Sequence, residues 1–556
     1  MSVIRDLFPF FNSSTEVYLD TAATSQRLAA SLEAMNEYYE TFNANVHRGS
    51  YPSAIKSSNK FERARDAVGE FIGAQSSSEL IFTSGATDAL NLVANGLDIG
   101  DLQGRVILVC ESEHHANLLP WQSFASTHNL KLRKLPLGKQ GVFHEHELKQ
   151  ALAMLTDEVA ILAIAHVSNV LGNIYPVEQL CNKAAAVNAL SIIDGTQAAA
   201  HIPIDVSAIN CDFYCLSGHK MYAGTGIGAL YGKMKRLEKL KPSKFGGEMI
   251  THVTWEKHEL QKPPTKFEAG TPNIAGALSL ACAVKFIKQN FSQIYADEQT
   301  IIQYLLEQLK PLIDDNKIVL LGNIGAGHSN TISLLSFTIP NMHANDVAAA
   351  LATQNIALRA GHHCAMPLMQ SLKIDGCVRL SIGCYTTKND IDAFKRALFV
   401  LFESGTESEI ETEGFSSIKQ TLTMSAAPST IETALKNAPD WNNKHRLLLL
   451  HSKQLSMLHA SEQIDSHEVA GCEAQVWIAL IGEKLKANSN SKVVRGILAI
   501  IIEKVNALPS HEVAQFDINN YLASLGLSHY FSQGRRDGIQ QIILRINALF
   551  TSSTLS

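Results

Sequence analysis

Several things are missing from this sequence, and each absence removes a class of function. No basic excess is present: 47 Lys and Arg face 53 Asp and Glu, a formal charge of −6. Without a basic footprint, nucleic acid is excluded as a main partner. The nine cysteines, at 110, 181, 211, 215, 282, 364, 377, 384 and 472, contain no Cys-x-x-Cys pair and no zinc-type spacing. That speaks against a cysteine-built metal centre, and an odd, scattered set speaks against a disulfide framework. The N-terminus, Met1-Ser-Val-Ile-Arg-Asp-Leu-Phe, lacks a basic region leading into an apolar core. The longest apolar runs, such as Ile497–Ile502, fall far short of the ~20 residues of a membrane span. The expectation is a cytoplasmic protein with no bound metal and no membrane partner.

What is present describes an ordinary globular protein, 46% hydrophobic and 18% charged over 556 residues. At ~150 residues per domain, that length allows three or four domains, or fewer large ones. From about residue 16 to 235, short apolar runs alternate with helical patterns: Glu79–Thr83, Arg105–Cys110, Ala160–Ala165, Leu190–Ile193 and Cys211–Leu216. This alternation predicts an α/β fold with a mostly parallel sheet and ligands at the carboxyl ends of its strands. After about 270, long helical patterns (Ala275–Asn290, Asp297–Leu312) and strand patterns near Thr331–Phe337 and Val378–Ile382 predict a smaller α+β domain. The acidic stretch from Glu403 to Gly414 is poor in core residues and reads as a solvated linker, residues 404–424. Amphipathic patterns resume at Ile431–Lys436 and Lys444–Ser461, then at Lys492–Asn506 and Asp537–Leu549. A third unit over 425–556 is large enough to bury its own core.

Within this frame, a few residues carry chemistry. Cys364 lies in Arg359-Ala-Gly-His-His-Cys364-Ala-Met-Pro. Positive neighbours in such a turn favour the thiolate, the only nucleophilic form; a buried filler cysteine is the plain alternative. Lys220, in Leu216-Ser-Gly-His-Lys220, follows an apolar strand pattern, and a lysine desolvated at a strand end suits Schiff-base chemistry. Asp194 ends the run Ser191-Ile-Ile-Asp194, where an acid serves a pyridinium nitrogen, or merely a turn. Thr83-Ser-Gly-Ala-Thr87 opens a helical pattern, whose first amides can cradle a phosphate. His114, in Glu113-His-His-Ala-Asn, offers a ring for stacking, and Asn169, in His166-Val-Ser-Asn169, an amide for a ring oxygen or carboxylate. Lysine, acid and phosphate nest together point to pyridoxal 5'-phosphate.

The spacing resembles the fold-type I pyridoxal phosphate enzymes. The strings Val17-Tyr-Leu-Asp-Thr-Ala-Ala, Val46-His-Arg-Gly, Glu113-His-His-Ala-Asn, Ser217-Gly-His-Lys, Phe267-Glu-Ala-Gly-Thr-Pro-Asn and Arg359-Ala-Gly-His-His-Cys resemble cysteine desulfurases of the SufS/CsdA type. This likeness spans about residues 5–403, and Ile356-Ala-Leu-Arg-Ala-Gly leans toward the CsdA branch. It implies a large domain (about 16–265) on a seven-stranded sheet, and a small domain from the N-terminal segment plus about 270–403. Lys220 would hold the cofactor covalently and move the α-proton of L-cysteine. Asp194 would pair with the ring nitrogen, Gln197 with the phenolic oxygen, and His114 would stack on the ring. Ala86, Thr87, Ser217 and His219 would hold the phosphate, joined by Thr271 from the partner subunit of a homodimer. Arg379 would clamp the substrate carboxylate with Asn169 close by, while Arg359 and His47 line the site near the sulfur. Cys364 would take the sulfur as a persulfide, releasing L-alanine. Gly85-Ala86-Thr87 departs from the usual Gly-Thr-Thr, and Met221-Tyr-Ala-Gly-Thr from Leu-Tyr-Gly-Pro-Thr, the latter implying a more mobile loop.

The C-terminal strings Val469-Ala-Gly-Cys472-Glu-Ala-Gln-Val-Trp, Lys492-Val-Val-Arg-Gly-Ile-Leu-Ala and Leu525-Gly-Leu-Ser-His-Tyr-Phe-Ser, with Arg535 nearby, resemble the SufE/CsdE sulfur acceptors over about 425–556. By that likeness, Cys472 would receive sulfur from Cys364. A tether of roughly 20 residues holds a second site at an effective concentration near millimolar when it spans the gap. The sulfur's destination is then iron–sulfur cluster assembly or a related scaffold protein. Three rivals stand beside this reading: a selenocysteine lyase, an aminotransferase without a thiol, and a C-terminal unit that only docks partners.

Overall fold

The computed structural model describes residues 4–138, 140–323, 330–406, 431–439, 441–472, 474–513, 515–528 and 533–553. The expected linker 404–424 therefore lies largely outside the described residues, as does part of the string Leu525–Ser532. The chain forms two compact units. One comprises Met1–Thr338 and Asn355–Lys395, the other Ile339–Gln354 and Arg396–Ser556.

A short strand β1 (Val17–Tyr18) precedes the sheet that organises the first unit. That sheet contains β2 (Leu80–Thr83), β3 (Val106–Cys110), β4 (Lys131–Leu135), β5 (Val159–Ala165), β6 (Leu190–Asp194), β7 (Phe213–Ser217) and β8 (Gly228–Gly232). Their order is β2-β8-β7-β6-β5-β3-β4, and only β8 runs against its neighbours. The expected mostly parallel, seven-stranded α/β sheet is what forms. Every residue of β5, β6 and β7 is buried, because a sheet covered on both faces has no solvent side to select polar residues. In β3, Val106, Leu108 and Cys110 join one core while Ile107 and Val109 join the other. Each such side chain, fully buried, contributes roughly 1.5–3 kcal/mol.

Parallel direction brings Cys110, Ala165, Asp194 and Ser217 to the same carboxyl edge, and the site grows there. Gly195, just beyond β6, sits where a Cβ would come within 1.9 Å of the Tyr214 ring. Only glycine lets the chain turn there against a buried tyrosine.

Beyond the sheet come the hairpin β9 (Ile250–Val253) and β10 (His258–Leu260) and a 41-residue helix, Ile274–Asp314. The sequence pattern predicts two helices here. The bridge Phe291–Ala296 contains no glycine or proline, and Ile294 is buried, so the helix runs through. A four-stranded antiparallel sheet follows, ordered β11 (Val319–Leu321), β12 (Leu334–Thr338), β15 (Cys377–Ser381) and β14 (Arg359–Gly361). The N-terminal β1 pairs in parallel with β13 (Ile356–Ala357). Asp20 thereby comes beside Ser381 at the end of β15.

The second unit is built around the hairpin β16 (Val476–Ile481) and β17 (Lys484–Ser489), the helix Lys492–Asn506 and the helix Gln533–Ser553. Leu448, Val476, Ile478, Ile497, Ile501 and Ile546 form its core. Ser491 caps the helix Lys492–Asn506 by accepting from the Val494 amide. Lys444 is buried, and its Nζ donates to the carbonyls of Leu435 and Leu525, each at 2.7 Å. Its charge thus meets the carbonyl ends of two helical segments.

Candidate active site

At the carboxyl edge of the seven-stranded sheet lies a cavity of about 230 Å³. Its lining brings together Ala86, Thr87, His114, Asn169, Asp194, Gln197, Ser217, His219, Lys220, Arg359, Cys364 and Arg379. Those are twelve of the fifteen residues singled out from the sequence. Ala22, Thr196 and His363 line it too.

Lys220 closes the short turn Gly218–Lys220 that follows β7. Desolvation, aided by the Arg379 charge and opposed by Asp194, lowers its ammonium pKa to about 8. Asp194 accepts from the Thr196 amide at 3.0 Å, and Gln197 donates to the Ala22 carbonyl at 2.9 Å. His114 caps the next turn, its Nδ1 accepting from Ala116 N at 3.1 Å. Burial, reinforced by the Lys220 charge, pulls His114 down to about 4, so its ring is neutral at physiological pH. His219 is lowered to about 4 in the same way.

Beneath His114, Glu113 is fully enclosed. One carboxyl oxygen accepts from Ala165 N at 2.8 Å and the other from Asn117 Nδ2 at 2.6 Å. Burial pushes its pKa up to about 8. Nothing in the sequence set Glu113 apart from a surface glutamate, since its partners lie on β5 and a neighbouring turn.

Cys364 sits in a tightly held loop. His363 and Cys364 have φ of 50° and 55°, both left-handed, a conformation that costs on the order of 1–3 kcal/mol per non-glycine residue. Four hydrogen bonds offset that strain. Asn169 Nδ2 donates to His363 O at 2.8 Å, His115 N to Cys364 O at 2.7 Å, Cys364 N to His362 Nδ1 at 3.0 Å, and Met366 N to His115 Nε2 at 3.3 Å. The His115 and His362 rings stack at 5.7 Å.

Arg379 comes from the buried strand β15 and has a side chain only 3% exposed. Its Nη1 donates to Asn169 O at 2.8 Å, whereas its buried Nε has no hydrogen-bond partner. A buried guanidinium edge left open is a site for an anion.

Three expected residues lie elsewhere. His47 pairs through Nε2 with Glu62 Oε1 at 3.0 Å and does not line the cavity. Thr271 borders a separate cavity with Ser84, Asp88, Lys244 and Asn273. Cys472 belongs to the second unit, half-buried, with Sγ 3.5 Å from Gly538 O. The segment after Lys220 is also firmer than its departure from pattern implies. Met221, Tyr222 and Ala223 are buried, and Tyr222 N and Gly224 N donate to Ser25 Oγ and Ser279 Oγ, both at 2.8 Å.

The donor set fits pyridoxal phosphate. An amine poised near neutrality, a carboxylate at a strand end and a neutral imidazole face one cavity. Gly85 and Gly228 bring their backbones so close that a Cβ on Gly228 would lie 2.6 Å from Gly85 Cα, and at the start of helix Ala86–Gly96 the Ala86 amide donates to Ser217 Oγ at 2.9 Å. Thr196 Oγ1 and His363 Nδ1 are buried without partners.

Residues 17–394 match the aminotransferase class-V family. The chain belongs to that family. Residues 429–550 match the SufE Fe-S metabolism associated domain. Among relatives, a probable cysteine desulfurase of Halalkalibacterium halodurans is 41% identical over 401 residues, covering 71% of this chain and 96% of the relative. One from Vibrio cholerae is 39% identical, covering 72% and 97%. The cysteine desulfurase of Thermococcus onnurineus superposes with a TM-score of 0.68 at 34% identity, over 72% of this class-V chain and 98% of its own. Escherichia coli CsdA gives 0.65 at 34%, over 72% and 97%. A class-V domain joined to a SufE domain is thus the chain's organisation. Among the described residues, no cluster of metal-ligating side chains occurs, and no helix is long and apolar enough to cross a membrane.

Proposed function

We propose that this protein is a pyridoxal phosphate-dependent cysteine desulfurase that converts L-cysteine to L-alanine and passes the sulfur from Cys364 to Cys472 of its own SufE domain. The observation that carries this reading is one cavity lined by Lys220, Asp194, Arg379 and Cys364. When bound, pyridoxal phosphate supplies an electron sink that makes the substrate's Cα proton removable.

The chain's own groups do the rest. Arg379 offers its Nε–Nη2 edge to the α-carboxylate, and Asn169, which holds both Arg379 and the Cys364 loop, keeps clamp and nucleophile in register. Lys220 anchors the cofactor and, as a neutral amine, takes the Cα proton. Neutral His114 covers the ring without adding a charge that would compete with Asp194. Thiolate Cys364 attacks the substrate sulfur: an S–S bond forms and the C–S bond breaks. The carbon keeps the bonding pair, takes up a proton and leaves as L-alanine. Cys364 is left as a persulfide. Thr271 completes the phosphate site of a partner subunit, consistent with its place in a second cavity. The SufE domain supports delivery of the sulfur toward iron–sulfur cluster assembly.

The test is L-alanine release from L-cysteine by holoenzyme, compared with Cys364→Ser, with mass spectrometry of residue 364. Loss of alanine and of the added sulfur in the variant supports the reading; undiminished alanine from Cys364→Ser overturns it.

A further inference from the structure

The turn that carries Lys220 is gripped from outside the cavity by the segment Thr24–Arg27. The carbonyl of His219 accepts from Ser25 N at 2.9 Å, from Ser25 Oγ at 3.0 Å and from Arg27 Nη1 at 3.0 Å. Ser25 Oγ itself accepts from Tyr222 N at 2.8 Å, so its own proton goes to that carbonyl. Thr24 Oγ1 lies 3.3 Å from the same carbonyl and 3.3 Å from His219 Nδ1, and it accepts from Arg27 Nη2 at 2.9 Å.

A hydroxyl has one proton to give, and a carbonyl oxygen has two lone pairs to receive with. Arg27 fills the acceptor side of Thr24, and the His219 carbonyl already serves three donors. The Thr24 proton is therefore left with Nδ1 of the ring. Nδ1 is then the bare nitrogen and Nε2 carries the hydrogen, because a neutral imidazole has one of each. The ring is neutral here, since burial and the charges of Lys220 and Arg27 all disfavour its protonated form. His219 lines the cavity with Ala86, Thr87 and Ser217, whereas Thr24 and Arg27 do not. We propose that Arg27 and Thr24 are positioning residues that lock His219 in its Nε2–H tautomer and so make it a hydrogen-bond donor to the phosphate of the cofactor. Without the lock, Nδ1 can take the hydrogen, and the ring then offers an anion a bare lone pair. A bond from an N–H to an ionised phosphate is charge-assisted, and its loss weakens binding by about tenfold or more.

This role rests on the proposed pyridoxal phosphate site, and two aldehydes that differ only by the phosphate separate the two. Pyridoxal 5'-phosphate and pyridoxal are titrated into the cofactor-free protein, with binding read by absorbance. Thr24→Val and Arg27→Met should each weaken pyridoxal 5'-phosphate about tenfold or more, while pyridoxal changes less than about threefold. Thr24→Ser, which keeps the hydroxyl, should retain the wild-type ratio of the two affinities. In a His219→Ala background, Thr24→Val should add no further phosphate-selective loss. An equal loss of both aldehydes would show that Thr24 and Arg27 only shape the Lys220 turn, and it overturns the proposal. An unchanged ratio in Thr24→Val, or a phosphate-selective loss that persists without His219, overturns it as well. If Arg27→Met fails to accumulate, Thr24→Val decides alone. If the wild type binds neither aldehyde, the cofactor reading fails. Calorimetric titration of inorganic phosphate into the wild type and Thr24→Val then still decides the lock: weaker binding to the variant supports it, and equal affinity or no binding overturns it.

Discussion

The amide of His115 donates to the carbonyl of Cys364 at 2.7 Å, so the segment carrying His114 and the loop carrying Cys364 are one mechanical piece. His115 returns a second bond through its ring, accepting from Met366 N at 3.3 Å. The left-handed pair His363–Cys364 persists because these bonds hold it.

His115→Ala keeps the backbone bond but loses the ring acceptor and the stack on His362. Alanine formation should fall roughly tenfold, a loss of about 1.4 kcal/mol in positioning. Cofactor content should stay at the wild-type level. Side-by-side assays of alanine release and bound pyridoxal phosphate check this.

Lys220 has its pKa lowered to about 8, so below that pH the amine is mostly protonated and cannot attack an aldehyde. Uptake of pyridoxal phosphate by the cofactor-free protein should therefore quicken as pH rises from 7 and level off above about 8, not near 10.5. Stopped-flow absorbance across that range reads the midpoint. An ordinary lysine midpoint would count against the desolvated setting.

Glu113 has its pKa raised to about 8 from 4.5. The folded state thus keeps a proton that the unfolded chain has lost, and stability from this group is full below pH ~4.5 and disappears as pH climbs through about 8. Glu113→Gln should flatten the fall in unfolding free energy between those limits, a difference of a few kcal/mol at most. Denaturant titrations of both proteins at pH 5, 6.5 and 8 measure it.

Arg65 and Glu268 form a buried bidentate pair, at 2.6 and 2.8 Å, that also ties down Phe82 N. Breaking one side strands a charge, at about 3–5 kcal/mol. Arg65→Met should lower the melting temperature sharply. Arg65→Met with Glu268→Leu should recover part of it, because no lone buried charge remains; Glu62, the other carboxylate on Arg65, is exposed and keeps His47. A thermal melt of the single and double variants distinguishes them.

How far the sequence could be read follows from how local each signal was. Asp194 and Lys220 were legible because a polar residue ending an all-apolar strand is conspicuous, and parallel strands deliver such ends to one edge. The long helix Ile274–Asp314 has the sequence pattern of two helices because its middle weakens in periodicity without containing a breaker. Asp20, in Val17-Tyr-Leu-Asp20, carries no local signal of a role. Its partner Arg359 lies 339 positions away, and no local periodicity reports a contact of that range. His47 reads as lining the site near the sulfur, and within one chain it is bound to Glu62 and stands outside the cavity lining.

Cys472 shares the lining of a small, mostly apolar cavity with Val476, Val494, Ile497, Ile539 and Ile542, and burial raises its thiol to about 11. At neutral pH it is therefore a protonated, sluggish nucleophile in this setting. Brief alkylation at pH 7.5 should modify Cys472 more slowly than a free cysteine does. After L-cysteine is added to wild-type holoenzyme, added sulfur should appear on both Cys364 and Cys472. In Cys472→Ala it should remain on Cys364 alone, and multiple turnover should slow several-fold because the persulfide has lost its tethered acceptor. In Cys364→Ala neither residue should gain sulfur, since attack on the substrate precedes transfer. Sulfur on Cys472 in the Cys364→Ala protein would show that the second thiol draws directly on substrate, and the order of the relay would fall.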